Sequence, residues 1–102
     1  MITISLCMIV KNEERILARC LDSVKDLVDE IVIVDTGSAD ATKRIAAEYT
    51  DKIYDFTWID DFSAARNFAF SKASKEYIYS ADADEVLSEE NRQRIRLLKE
   101  TL

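Results

Sequence analysis

Glu30-Ile31-Val32-Ile33-Val34-Asp35-Thr36-Gly37-Ser38 decides how this chain folds. Four β-favouring apolar residues run unbroken between two acids. Apolar residues without polar alternation suit a strand buried on both faces, as in a parallel sheet. The strand ends in Asp35, and Thr36-Gly37-Ser38 makes the turn with the only glycine of the chain. A helix is predicted from about Ala39, with Ser38 or Asp40 as its cap and Ala41, Ile45, Ala46 and Tyr49 along one side. A buried strand running through a tight turn into an amphipathic helix is half of a β-α-β unit.

The same pattern repeats in both directions. Ile2 to Val10 (ITISLCMIV) is nearly all apolar or β-favouring and stops at Lys11-Asn12-Glu13-Glu14. Asn12 reads as a helix N-cap, and the two glutamates suit the first turn of a helix. Ile16, Leu17, Cys20, Leu21 and Val24 then recur at helical spacing to about Lys25. Downstream, Lys52 to Phe56 reads as a short third strand. Thr57 to Phe62 (TWIDDF) is a loop holding the only tryptophan. Asp61 or Ser63 can cap a helix through Ala73, with Ala65, Phe68, Ala69 and Ala73 available for packing. Glu76 to Ala81 is a fourth strand. Ser88 caps a last helix, with Ile95, Leu98 and Leu102 facing inward. Strands alternating with helices predict right-handed crossovers. The expected fold is therefore α/β: a three-layer, Rossmann-like open parallel sheet of about four strands with helices on both faces, in one domain over residues 1–102.

Composition narrows the function. At 102 residues, 48% hydrophobic and 33% charged, the chain suits one small globular domain. Its net charge of −6 offers no basic face for nucleic acid. The same acidity means that a phosphorylated ligand needs a metal or a well-placed arginine beside it. Histidine is absent, which removes His-based zinc sites and Ser-His-Asp or Cys-His catalysis. Cys7 and Cys20 both fall in apolar patterns and read as reduced, buried thiols. No apolar run is long enough to span a membrane, and the N-terminal stretch lacks a basic start and a small-residue cleavage site. These features predict a cytoplasmic location, peripheral to the membrane at most.

In an open parallel sheet, ligands sit beyond the carboxyl ends of the strands, where the strand order reverses. Polar candidates gather there: Asn12 and Glu13 after the first strand, Asp35 after the second, Arg66 after the third and its loop, and Asp82, Asp84 and Glu85 after the fourth. Each also has a structural reading. Asn12 and Glu13 suit a helix cap and first turn, and Asp35 suits a turn former beside Gly37. Arg66 could be a solvated helix residue. Trp58 reads as core, and Asp60 and Asp61 as loop and cap residues. Asp82 and Asp84 stand at positions i and i+2, which in extended backbone point the same way, roughly 6–7 Å apart at Cα. Two such carboxylates can converge on Mg2+ or Mn2+, which take oxygen ligands and complete their shell with water and phosphate.

Three other motifs fit poorly. Asp35-Thr36-Gly37-Ser38 matches the D-T-G-S of aspartic proteases, but those are all-β, with glycine-rich flaps, and here a helix follows. The first strand-to-helix turn has no G-x-G-x-x-G. A receiver domain would place an acidic pair after strand one and a phosphoacceptor aspartate after strand three, where this chain has Asn12-Glu13-Glu14 and Phe56.

The blocks MIVKNEE, CLDSV, EIVIVDTGSADAT, FTWIDDFSAARNFA and YIYSADADEVL, in this order, resemble the family-2 glycosyltransferases, inverting enzymes of the GT-A fold. The resemblance is to the branch of bacterial lipopolysaccharide-core and related cell-envelope glucosyltransferases. It implies that Met8 to Val10 and Glu13 line a nucleoside pocket, and that Asp35 accepts a hydrogen bond from the base. Arg66 would reach the nucleotide. Asp82 and Ala83 would lie by the ribose and metal, and Asp84 would bind Mg2+ or Mn2+ directly. The implied partner is a nucleotide-sugar donor, a UDP-sugar above others, with a hexose passed to a cell-envelope or membrane-associated acceptor. No catalytic base is expected among these residues. The chain reads as the donor-binding half of a longer domain, and an uncovered sheet edge would favour a homodimer. The alternative is a non-catalytic nucleotide-binding or interaction module of the same fold.

Overall fold

The computed structural model describes residues 2–101; Met1 and Leu102, the latter expected to face inward from the last helix, lie outside the described residues. Four strands and four helices alternate: β1 (Ile4–Val10), α1 (Leu17–Val24), β2 (Glu30–Asp35), α2 (Thr42–Ala46), β3 (Ile53–Asp55), α3 (Phe62–Lys72), β4 (Tyr77–Ser80) and α4 (Glu89–Thr101). The strands form one sheet in the order β3-β2-β1-β4, and all pairings are parallel. The order reverses at β1: the chain steps outward through β2 and β3, then returns to place β4 on β1's other side. Ligand crevices open at such a point.

The apolar runs are buried on both faces, as an unalternated pattern requires. Leu6, Met8, Val10, Ile31 and Ile33 pack with Leu17, Cys20, Leu21 and Val24 of α1 and Ala46 of α2. Cys7, Val32 and Val34 face the other way, against Ala69 of α3 with Tyr54, Phe56 and Phe68 around them. The two thiols are free, buried and in opposite layers of the sheet, so they cannot pair.

Three elements differ from the sequence reading. α2 is the short helix Thr42–Ala46 and not one from about Ala39 that includes Tyr49; Ala41 holds its cap position, Ser38 Oγ is taken by Asn12 N, and Asp40 accepts from Thr42 N at 2.9 Å. α1 begins at Leu17, and Asn12 does not cap it. Asn12 sits in the left-handed region with φ 54°. Its carboxamide oxygen accepts from Ala39 N at 2.8 Å, and its own N–H donates to Ser38 Oγ at 2.9 Å. Next to it, Glu13 N donates to Thr42 Oγ1 at 2.8 Å, and Glu14 Oε2 accepts from Ala41 N at 3.1 Å. The Lys11–Glu14 segment therefore fastens the loop after β1 to the loop after β2, and asparagine tolerates the backbone this requires.

α4 is the third difference. It begins after Ser88 as expected, with Asn91 N donating to Ser88 Oγ at 3.2 Å. Its apolar side is not buried: Ile95 is half-buried and Leu98 is 51% exposed. Polar fasteners hold the helix instead. Arg92 clamps both carboxylate oxygens of Asp26, and Lys99 Nζ donates to Leu27 O and Asp29. The helix lies beside the short edge strand β4, where there is too little sheet to cover an apolar stripe. Among the described residues, no helix is long and apolar enough to cross a membrane.

Candidate nucleotide and metal site

The strand register brings the candidate residues to one edge of the sheet. Val10 pairs with Asp35 and Asp35 with Asp55, so β1, β2 and β3 end level. Ser80 pairs with Cys7, Ala81 N donates to Cys7 O at 3.3 Å, and the chain continues from there to Asp82. Three adjoining hollows follow this edge. One of about 270 Å3 is lined by Asp35, Thr36, Gly37, Asp55, Phe56, Thr57 and Trp58. The next, about 260 Å3, shares Thr36 and Trp58 and adds Ile9, Val10, Lys11, Glu13 and Phe62. The third, about 400 Å3, shares Phe62 and adds Arg66, Phe70, Ser80, Asp82 and Glu85. Together they make a trough from the end of β2, across β1, to the end of β4. A larger polar cleft of about 830 Å3 lies at the opposite sheet edge, around Glu30. Its Lys52 is already paired with Glu30.

Asp35 is the most distinctive group in the trough. It is 2% exposed. Its Oδ1 accepts from Gly37 N at 2.8 Å and Ser38 N at 2.7 Å, which closes the turn. Gly37 takes φ 115°, a conformation that costs other residues dearly, although a Cβ there would meet nothing within 4 Å. Among the described residues, Asp35 Oδ2 is buried without a hydrogen-bond partner. Such an atom normally has a partner, and Asp35 also lines a hollow, which makes it a candidate ligand contact.

At the other end, Arg66 projects from α3 with its guanidinium stacked over the Phe62 ring, 4.7 Å from the centroid. Among the described residues it forms no salt bridge, which leaves its donors for a ligand. α3 is well started: Asp61 caps it by accepting from Ala64 N at 3.1 Å.

The acidic stretch departs from the extended geometry expected of it. β4 ends at Ser80, and residues 82–85 form a turn closed by Glu85 N donating to Asp82 O at 3.0 Å. Ala81 and Ala83 are buried, 6% and 4% exposed, while Asp82, Asp84 and Glu85 are exposed. The alternation of small buried and acidic exposed residues thus survives on a turn. No group of three His, Cys, Asp or Glu side chains converges as a closed metal cage among the described residues. Two open carboxylates fit Mg2+ or Mn2+, which rely on water and phosphate for the rest of their shell.

The remaining candidates divide. Val10 and Glu13 line the trough. Met8 is 1% exposed, packs into the core beneath α1 and α2 and lines none of the three hollows. Trp58 is not core: it is 41% exposed and borders two of the hollows, with its indole N–H donating to Asp60 at 3.0 Å. Lys11 and Thr36 also line the trough and were not singled out in the sequence; a cation directly after the first strand was the available signal.

Residues 5–96 match the family model described as glycosyl transferase family 2. The chain belongs to glycosyl transferase family 2. A TPR repeat-containing protein of Synechococcus elongatus is 53% identical over 87 residues, covering 85% of this chain and 22% of that protein. The glycosyltransferase SunS of the SPbeta prophage in Bacillus subtilis is 41% identical over 95 residues, covering 91% and 22%. The chain thus spans about a fifth of the length of these relatives. Among solved structures, Staphylococcus aureus TarS superimposes over 96% of the chain and 32% of its own, with a TM-score of 0.78 at 22% identity. Glucosyl-3-phosphoglycerate synthase of Mycobacterium tuberculosis, solved with Mn2+ and UDP-glucose, superimposes over 83% and 34%, with a TM-score of 0.71 at 23% identity. These likenesses show that this family-2 chain shares their fold.

Proposed function

We propose that this chain binds the nucleotide-sugar donor of an inverting glycosyltransferase, with the base at Asp35 and the diphosphate between Arg66 and the Asp82–Glu85 turn. The observation that carries this reading is the buried, unpartnered Oδ2 of Asp35 at the head of a trough that ends at an uncommitted arginine. A uracil ring offers an imide N–H to such an acceptor. The M. tuberculosis synthase, of the same fold, is described with UDP-glucose and Mn2+, which favours a UDP-sugar here.

Each residue has a share of the work. Asp35 orients the base, and Trp58 flanks it as a flat apolar wall. Glu13 and Val10 close the trough over β1. Arg66, held rigid by its stack on Phe62, meets the diphosphate with planar paired donors. Asp84, with Asp82 beside it, would hold Mg2+ or Mn2+, which when bound neutralises the charge that develops on the departing nucleoside diphosphate. The acceptor base is assigned to the part of the relatives' length that this chain does not span. Hexose transfer is accordingly a property of the whole protein, and the 102-residue chain binds donor without turnover.

Trp58 supplies the test, because it is the only tryptophan and sits on the trough wall. Titration with UDP in the presence of Mn2+ is expected to quench its fluorescence saturably. A flat titration up to millimolar UDP would dismiss the reading.

The proposal includes self-association. β4 is an edge strand whose Tyr77 and Ile78 are 49% and 43% exposed, next to an apolar hollow of about 340 Å3 formed with Ile4, Tyr79, Ile95 and Leu98. Open strand edges beside apolar surface tend to pair. Light scattering of the 102-residue chain is expected to show a concentration-dependent dimer that Ile78→Lys disperses; a monomer at all concentrations would refute it.

A further inference from the structure

α1 carries two polar groups on one face that line none of the hollows of the trough, the buried Cys20 and the half-buried Ser23. Cys20, fully buried, donates its thiol proton to Asp82 O at 3.6 Å. Ser23, three residues on and therefore on the same helix face, accepts from Leu87 N at 3.2 Å and donates to Cys20 O at 2.7 Å. The segment from Asp82 to Leu87 is held at its first residue by one and at its last by the other. Between these anchors the backbone has one turn bond of its own, Glu85 N to Asp82 O at 3.0 Å, and a side-chain bond from Asp82 N to Glu85 Oε1 at 3.3 Å. Ala81 and Ala83 pack into the same core as Cys20, which turns Asp82 and Asp84 outward. Arg92 secures the far side by donating to Ser23 O while it clamps Asp26.

We propose that α1 is the platform on which the acidic turn is positioned, with Cys20 and Ser23 as positioning residues that set where the Asp82 and Asp84 carboxylates stand. This rests on the assignment of that turn to the diphosphate end of the donor. Three acids within four residues repel one another, and an exposed turn with so few bonds of its own cannot fix their geometry. Ligand constellations need placement within roughly half an ångström, which a packed helix provides and a free loop does not. The sequence block CLDSV thereby acquires a function: its cysteine and serine are the two polar contacts, and its leucine and valine seat the helix on the sheet.

Amide hydrogen exchange on the 102-residue chain without ligand tests the platform directly. Cys20→Ala and Ser23→Ala are each expected to speed exchange at Glu85 and Leu87 about tenfold, with the β1 and β2 amides unchanged. Cys20→Ser replaces the thiol donor with a hydroxyl donor and Ser23→Thr keeps the hydroxyl, and both are expected to restore the slow rate. Affinity for UDP with Mn2+ is expected to fall about 3- to 10-fold in the alanine variants, as for loss of one positioning bond, while affinity for uridine, which lacks the diphosphate, stays as in the parent. Unchanged exchange at Glu85 and Leu87, or equal losses for UDP and uridine, would overturn the inference. A parent chain that binds neither ligand would defeat the donor-site reading, and the exchange rates would still decide whether α1 holds the turn.

Discussion

Asp35→Asn is expected to weaken UDP binding about 10- to 100-fold, which corresponds to one charge-assisted hydrogen bond of about 1.5–3 kcal/mol. The substitution isolates one oxygen. Asparagine keeps an Oδ1 that can accept from Gly37 N and Ser38 N, so the turn stays closed. It replaces the buried, unpartnered Oδ2 by an amide donor, which then faces the donor N–H of uracil. The same amide suits cytosine, whose ring nitrogen accepts, so the variant should prefer CDP to UDP. Stability should stay within about 1 kcal/mol of the parent, because removing a buried unpaired charge offsets burying an amide. Calorimetric titration with both nucleotides, alongside thermal unfolding, reads all three effects. Unaltered UDP affinity would reduce Asp35 to a turn former.

Glu30→Ala carries the largest expected effect on stability. Glu30 opens β2 and is 5% exposed. It accepts from Ser5 Oγ at 2.7 Å, from Ser74 N at 2.8 Å and from Ser74 Oγ at 2.7 Å, and it pairs with Lys52. The network ties β1, β2, the approach to β3 and the approach to β4 together at the edge remote from the trough. Alanine strands these donors. The expected cost is about 2–3 kcal/mol, kept at that level because Lys52 is 43% exposed and water screens its share. For a domain of this size that lowers Tm by roughly 10–20 °C.

The pH dependence follows from the same contacts. Burial pushes the Glu30 carboxyl up, but Lys52, Ser5 and Ser74 together pull it further down, from 4.5 to about 2. The folded value lies below the unfolded one, so this contribution is present above about pH 4.5 and is lost as pH falls through about 2. Denaturant unfolding should show a smaller gap between parent and variant at pH 3 than at pH 7. An equal gap at both would mean that the carboxylate charge contributes nothing.

The fold was legible because local pattern and tertiary structure agree along most of the chain. Glu30 to Asp35 has the strand limits read from its apolar run, and Asp61 caps α3 as its position suggests. The exceptions share a cause. Asn12 looks like a cap, but its partners, Ser38 and Ala39, lie 26 and 27 residues away, and no local pattern announces them. Trp58 looks like core, yet it stands 41% exposed on the loop after β3. Leu98 has helical spacing but little sheet beneath it. At the site, Asp35 and Arg66 could be named from their place after strands, whereas the turn that replaces extended backbone at Asp84 depends on Ala83 packing into the core. Met8 shares Val10's face of β1 but stands two residues further from the strand end, so it packs in the core and only Val10 reaches the trough.

The central claim is that the sheet edge holds a nucleoside diphosphate through the carboxylates after β4. The most direct measurement is UDP titration of the 102-residue chain by Trp58 fluorescence, with and without Mn2+, in the parent and in Asp84→Ala. Saturable quenching that needs Mn2+ and disappears in Asp84→Ala is the predicted result. Quenching of equal strength without metal, or undiminished in Asp84→Ala, would contradict it.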